Sequence, residues 1–332
     1  MDEIKVQIQE NKSGNKKFSR KERIKKYLKF FLIPGWRDPD ITAKEYEIEK
    51  IKSKRRFFRR FLKPLTLLGI GLFIFCLVLA VYAPWLTKFP LQEITMPYYP
   101  PNPVPFAPPS DEHILGTTKY GYDILARLIW GARFTLSIAV LPTLIAQGGG
   151  LIIGTISAYF GKAVDYIIMR IVDIIYSFPM LVLVLVLVPM LGTDLMTTLT
   201  IYGVLFIPFY TRFMRSSVLQ VKQMVYIKAA KTSGAKKFKI MFRHIVPNAL
   251  APMVIRFFGG MARTVLGIAG LAFLGLGDTS IVNWGTDINW AQGQFTAFMA
   301  AIWPGIFIGL STIGFMLIGD GMRDALDPRL HI

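Results

Sequence analysis

Residues 64–87 read Pro64-Leu-Thr-Leu-Leu-Gly-Ile-Gly-Leu-Phe-Ile-Phe-Cys-Leu-Val-Leu-Ala-Val-Tyr-Ala-Pro-Trp-Leu-Thr87, and none of them is charged. A helix needs about 20 consecutive apolar residues to cross a hydrocarbon core about 30 Å thick. This one stretch therefore decides that the chain is a membrane protein. Working outward, Phe134–Gly161 and Ile174–Thr193 meet the same criterion, and Leu195–Thr211 is slightly short. Asn289–Gly319 is long enough but starts with a polar lean, and Asn248–Leu276 is interrupted by Arg256 and Arg263. Counting all of them predicts an all-α fold, a polytopic membrane helical bundle of about six transmembrane helices.

Composition agrees. Hydrophobic residues make up 53% of the 332 residues and charged ones only 18%. The mean hydropathy is +0.44. The charges are clustered, whereas a soluble core of this size would scatter them along amphipathic elements. The formal charge of +18 raises nucleic acid as a partner, but its distribution argues against that reading. About half of the 39 Lys and Arg residues precede Pro64, and the basic stretch Arg212–Arg243 contains no Asp or Glu. With both termini inside, segments 1–63, 162–173, 212–247 and 320–332 hold about 33 of the 39 basic residues, and the outside segments about four. The expected orientation is N-in, C-in at the cytoplasmic membrane, with lipid headgroups as a contact and no nucleic acid.

The expected organisation follows. Residues 1–63 form a basic cytoplasmic segment with a helix near Lys21–Leu32 and a surface helix over Asp40–Lys63. Residues 64–87 are the first span. Residues 88–133 form an external loop crowded with prolines from Pro97 to Pro109, extended and not a folded domain. Residues 134–320 are the membrane core, with a cytoplasmic loop at 212–247, and 321–332 are a cytoplasmic tail. The polar N-terminus lacks the layout of a secretory signal, so the first span is expected to stay as an anchor. Gly148, Gly149, Gly150 and Gly154 predict close helix packing, and Pro142 and Pro179 predict kinks.

Catalytic machinery is not expected. A phosphate-cradling loop needs G-x-x-x-x-G-K-[ST], and the one Gly-Lys pair, Gly161-Lys162, is followed by Ala163. His113, His244 and His331 are far apart in sequence with no partners at metal-ligand spacing. The spans hold no paired carboxylates for a proton relay. The single Cys76 allows no disulfide within the chain and reads as a small core residue.

The loop before the interrupted span is the most informative segment: Tyr226-Ile-Lys-Ala-Ala-Lys-Thr-Ser-Gly234-Ala-Lys-Lys-Phe-Lys-Ile-Met-Phe-Arg-His-Ile-Val-Pro247-Asn248. Tyr226–Ser233 is compatible with a helix, Gly234 with a left-handed turn, and Phe238–Ile245 with a second helix that Pro247 ends. A merely solvated loop has no need of Ala229, Ala230, Ile240, Met241 and Phe242 at this density.

Lys228-Ala-Ala-x-x-x-Gly234 with Ile-Val-Pro247-Asn resembles the cytoplasmic coupling loop of ATP-binding-cassette importer permeases. More narrowly, the chain is similar to the C-type subunit of the dipeptide/oligopeptide permease group. Ile114–Arg133, Met169-Arg-Ile-Val-Asp-Ile with Phe178-Pro179, Phe273-Leu-Gly-Leu-Gly277, Trp284-Gly285 and Gly319–Arg329 carry the same resemblance, in order, over roughly residues 60–331. It departs in three places: Lys228 stands where the family usually has Glu, Ile268 where a Glu is frequent, and Arg256 and Arg263 where uncharged residues are usual.

The resemblance implies a type I importer permease fold, a homologous permease as heterodimer partner, two ATPase subunits that bind the ATP, and an external solute-binding protein. This chain itself would hold no cofactor. Lys228, Ala229, Ala230, Gly234, Ile240, Phe242 and Pro247 are then the expected ATPase-coupling residues. Arg256 and Arg263 are candidates to line the solute pathway. Peptides are the expected solute, with oligosaccharide, nickel or glutathione as alternatives. Two competing readings are a self-sufficient secondary transporter, which would want intramembrane carboxylates, and a membrane-anchored regulator working through its basic N-terminal segment.

Overall fold

The uncharged run folds as α1, Pro64–Leu86. Pro64 lies in its first turn, where a missing N–H has no partner to lose. At 1.5 Å per residue the helix reaches about 35 Å, enough to cross a bilayer core. It buries only a thin stripe of Thr66, Gly69, Cys76, Ala80 and Ala83. Leu65, Leu68, Ile74, Val81 and Trp85 stay exposed, as lipid-facing residues do. The structure is a computed structural model that describes residues 58, 61–294 and 297–326. The expected helices of the N-terminal segment, apart from its last residues, and the tail beyond Leu326 lie outside the described residues.

The remaining helices are α2 (Ile124–Phe160), α3 (Lys162–Tyr176), α4 (Met180–Leu191), α5 (Leu195–Lys222), α6 (Val225–Thr232), α7 (Lys237–Ile240), α8 (Val246–Leu271), α9 (Trp284–Ala291) and α10 (Met299–Leu326). Among the described residues the one β interaction is an isolated bridge between Thr117 and Asp123. Pro64–Leu86, Ile124–Phe160, Lys237–Leu276 and Met299–Leu326 are long and apolar enough to cross a membrane. The pair α3–α4, bent by 82°, makes a fifth if it is one broken span. The 28-residue α5 is long enough for the expected sixth crossing, but its Thr, Tyr and Arg residues dilute its apolar character.

Several expected boundaries move, each for a local reason. Helix α2 begins ten residues before Phe134, because Asp123 caps it by accepting from the Ala126 N–H at 2.6 Å. Arg127 and Arg133 lie inside it, so a search for uncharged runs starts too late. Pro179 breaks the stretch Ile174–Thr193 into α3 and α4, while Pro142 stays inside an unbroken α2. The stretch Asn289–Gly319 is interrupted after α9, where Gly293 takes a left-handed φ of 82°, and α10 resumes only at Met299.

Helices α2 and α5 form the centre of the bundle. A Cβ on Gly154 would lie 2.6 Å from the Thr211 carbonyl oxygen, and one on Gly150 would lie 2.4 Å from Tyr210 Cβ. These two glycines let the backbones meet, as the glycine spacing predicted. Gly148 differs: a Cβ there would meet nothing within 4 Å.

The segment between α1 and α2 is irregular but tied down. Tyr122 donates its hydroxyl to the Tyr98 carbonyl at 2.5 Å, and the Thr117 hydroxyl donates to the Val104 carbonyl at 2.6 Å. Phe106 N–H donates to Thr118 O at 3.1 Å.

Candidate functional site

The loop singled out in the sequence is built on the ends of α2 and α5. Lys222 closes α5 and donates to the Ala158 and Tyr159 carbonyls at 2.9 Å each, where the last turn of α2 leaves acceptors unpaired. Arg215 grips Asp165 of α3 through two bonds of 2.6 Å, and Arg212 reaches Asp173 at 2.5 Å. Tyr159 donates its hydroxyl to the Lys237 carbonyl at 2.7 Å, fastening the far arm of the loop to α2. Helix α5 runs through the stretch expected as loop from Arg212 on, since Met214, Ser217 and Val218 bury one face.

Helix α6 ends at a glycine for a definable reason. Gly234 has φ +74°. Its N–H donates to the Lys231 carbonyl at 3.1 Å, and the Ala235 N–H donates to the Ala230 carbonyl at 3.2 Å. That pair of bonds is a Schellman cap, which needs a left-handed residue at this position. A Cβ on Gly234 would meet nothing within 4 Å, so the requirement for glycine within this chain is backbone conformation, not space.

The coupling candidates divide by exposure. Lys228, Ala229, Gly234, Phe242 and Pro247 are exposed and Ala230 is half-buried. Ile240 is buried with Ile227, Ile245, Met214 and Val218, so its side chain holds the loop to the bundle instead of offering surface. Phe238, absent from that set, is 63% exposed beside Phe242 at 64%. Pro247 does not end a helix. The backbone runs on from Lys237 through a π-turn at Met241–Ile245 into α8, with the Val246 N–H bonding the Met241 carbonyl. The extra residue of the π-turn accommodates the proline's missing N–H. Asn248 then donates its side-chain amide to the His244 carbonyl at 2.7 Å.

Arg256 and Arg263 come together at one cavity of about 230 Å³ between α5, α8 and α10. Arg256 lies 4.1 Å from the Phe213 ring centroid and Arg263 4.9 Å from that of Phe209. Arg323 and Asp320 of α10 line the same cavity. Among the described residues neither Arg256 nor Arg263 has a carboxylate within ion-pairing distance. An arginine at the centre of a bilayer costs about 2.5–3.5 kcal/mol on an insertion scale, and facing a wet cavity lowers that cost.

A third constellation was missed by sequence reasoning. Arg127 of α2 donates through Nε to Asp287 Oδ1 of α9 at 2.6 Å, and its Nη1 bonds the Ile94 carbonyl. Its guanidinium carbon lies 4.6 Å from the Trp290 ring centroid and 5.4 Å from that of Tyr122. Burial pushes the Asp287 carboxyl above its ordinary value, and the Arg127 charge opposes that push. Beside the pair, the Trp284 indole N–H donates to the Leu128 carbonyl at 3.3 Å and packs over Gly131, while Gly285 sits against the Ala269 backbone. The chemistry here is positioning: it ties the start of α2 to α9 and to the preceding loop. Among the described residues no group of three or more His, Cys, Asp or Glu side chains is placed to hold a metal ion.

An all-helical polytopic core, with a capped basic loop mounted on its central helices and an arginine-lined cavity beside it, is the class of a membrane transport permease. Residues 150–332 match the model of the family described as binding-protein-dependent transport system inner membrane component. The chain belongs to that family, the membrane subunits of ATP-binding-cassette importers. It is 33% identical to the dipeptide transport system permease protein DppC of Alkalihalophilus pseudofirmus over 88% of this chain and 95% of that one. It is likewise 33% identical to the glutathione transport system permease protein GsiD of Pectobacterium atrosepticum, over 83% of this chain and 91% of the relative. The probable D,D-dipeptide transport system permease protein DdpC of Escherichia coli is 32% identical over 80% of this chain and 88% of its own length. The protein is thus a multi-pass component of the cytoplasmic membrane and a transport subunit, not an enzyme. ATPase and solute-binding partners are general to such systems.

Proposed function

We propose that this chain is one of two related permease subunits of a peptide importer. In this reading it forms a heterodimeric pore with N- and C-termini in the cytoplasm, two ATPase subunits dock below, and an external binding protein delivers the solute. The observation that carries the reading is the Lys228–Pro247 loop: small and aromatic side chains are held outward on buried Ile227, Ile240 and Ile245. A push on the loop by an ATPase passes rigidly into α8 through the loop's second arm, because the helical backbone is continuous from Lys237 to Leu276. Helix α6 bears on that arm through the shared core of Ile227, Ile240 and Ile245. Lys228, Ala229, Ala230, Gly234, Phe242 and Pro247 make the docking surface, and Ile240 anchors it. Arg256 and Arg263 face the solute path. The names of the dipeptide-transport relatives support a peptide as the solute, and the glutathione relative supports a γ-linked tripeptide as the second reading.

The test is reconstitution of the five-subunit importer in proteoliposomes, with labelled di- and tripeptide uptake and ATP hydrolysis followed together. Uptake that needs ATP, the binding protein and an intact loop is the expected result. Uptake by this chain alone would sink the proposal in favour of a self-sufficient transporter.

A further inference from the structure

We propose that Arg256, Arg263 and Arg323 form an anion-recognition station on the translocation path, and that it takes the free carboxylate of the transported solute. The inference rests on the importer reading above and deepens it. Three cations and one acid, Asp320, line a single cavity of about 230 Å³. A water's share of liquid volume is about 30 Å³, so the space holds a carboxylate with roughly one or two residues of attached peptide. Asp320 lies 3.9 Å from Arg323, and among the described residues no carboxylate lies within ion-pairing distance of Arg256 or Arg263.

The geometry of those two side chains favours a visiting ligand. Each guanidinium lies over a phenylalanine ring of α5, at 4.1 Å for Arg256 and 4.9 Å for Arg263. An aromatic face restrains such a plane and leaves its N–H edge free to donate in pairs to a carboxylate. Seven residues apart on α8, they sit on one face about 10 Å from each other along the helix axis. Arg323 then follows on α10. Successive cationic positions let an anion bind at each without being trapped at any one, as passage requires. A permanent carboxylate from the partner permease would fill this space and neutralise the set. Asp320, which lines the same cavity, is instead paired with Arg323.

The experiment compares uptake of trialanine with that of its C-terminal amide by the reconstituted importer, each at saturation of the binding protein. Wild type is expected to favour the free acid by about tenfold, the worth of one charged hydrogen bond. The Arg256→Gln/Arg263→Gln variant is expected to bring that ratio to near one while binding-protein-stimulated ATP hydrolysis persists. Each single variant is expected to lower the ratio in part, and the Lys/Lys variant to keep more of it than the Gln/Gln variant. An unchanged ratio with uptake intact would overturn the station and leave the importer reading standing. Loss of the partner permease from purified Gln variants but not from Lys variants would mean that the arginines pair with the partner, which also overturns it. If wild type takes up neither peptide, the peptide-importer reading fails and the station fails with it.

Discussion

The guanidinium of Arg127 and the carboxylate of Asp287, 160 positions apart in the chain, meet at 2.6 Å with almost no side-chain exposure on either. The contact joins the start of α2 to α9, under a cover formed by Trp290 and Tyr122. Arg127 Nη2 and Asp287 Oδ2 have no partner of their own, so the pair is tightly enclosed but incompletely bonded. Such pairs fix geometry more than they stabilise. Desolvation offsets most of the attraction, and the large cost appears only when one partner is removed.

The first prediction follows from that asymmetry. Asp287→Asn and Arg127→Gln should each destabilise the purified protein by about 3–5 kcal/mol, since each leaves a buried group without its charged partner. Replacing both, as Arg127→Met/Asp287→Leu, should recover most of that loss. Thermal unfolding in detergent measures all three. A double variant as unstable as the sum of the singles would show that the two residues do not act as a pair.

Gly148 and Gly154 should respond with opposite signs. Gly148→Ala meets nothing within 4 Å and removes a glycine from the middle of a helix, so a gain of about 0.5–1 kcal/mol is expected. Gly154→Ala places its Cβ 2.6 Å from the Thr211 carbonyl oxygen and 2.9 Å from Met214 Cβ. Separating α2 from α5 to make room should cost about 1–3 kcal/mol. The same unfolding assay reads both, and a destabilised Gly148→Ala would place that face against another subunit.

Much of this was legible in the sequence, and the misses share a cause. Uncharged runs located α1 and the core of α2 because hydrocarbon excludes charge without regard to packing. The same criterion failed where charge is paired or stacked. Arg127 and Arg133 hid the first ten residues of α2, and Arg256 and Arg263, lying on aromatic rings, made α8 look interrupted. Gly234 announced its cap because only backbone conformation is at stake there. Pro247 misled, because a π-turn one residue upstream keeps the helix continuous and leaves no local signal. The Arg127–Asp287 pair could not be read at all, since nothing in a single sequence says that positions so far apart are neighbours.

Within the loop, stability and coupling should separate by residue. Ile240→Ala and Ile227→Ala remove fully buried side chains and should cost about 2–5 kcal/mol if the loop cannot collapse around the cavity. Phe242→Ala and Phe238→Ala touch exposed rings and should stay within about 0.5 kcal/mol of wild type. Under the docking proposal Phe242→Ala should nonetheless lose co-purifying ATPase subunits, with Phe238→Ala as the comparison outside the proposed surface. A Phe242→Ala variant that retains both stability and ATPase would remove Phe242 from the docking surface.

Gly234 gives the sharpest test of coupling, because its two expected costs can be told apart. An L-residue at φ +74° carries a left-handed penalty of about 1–2 kcal/mol, relieved most by Asn. Among the described residues, the two chain neighbours of Gly234 aside, no atom lies within 4 Å of the added Cβ, so side-chain size should barely affect the folding of the isolated subunit. Gly234→Asn and Gly234→Trp should therefore differ little in the unfolding assay once the left-handed penalty is allowed for. They should differ strongly in the assembled importer if the α6 end sits in an ATPase cleft. There Gly234→Asn should sustain uptake, while Gly234→Trp should hydrolyse ATP without moving solute. Full transport by Gly234→Trp would refute the seating of this turn in the ATPase, whatever its effect on stability.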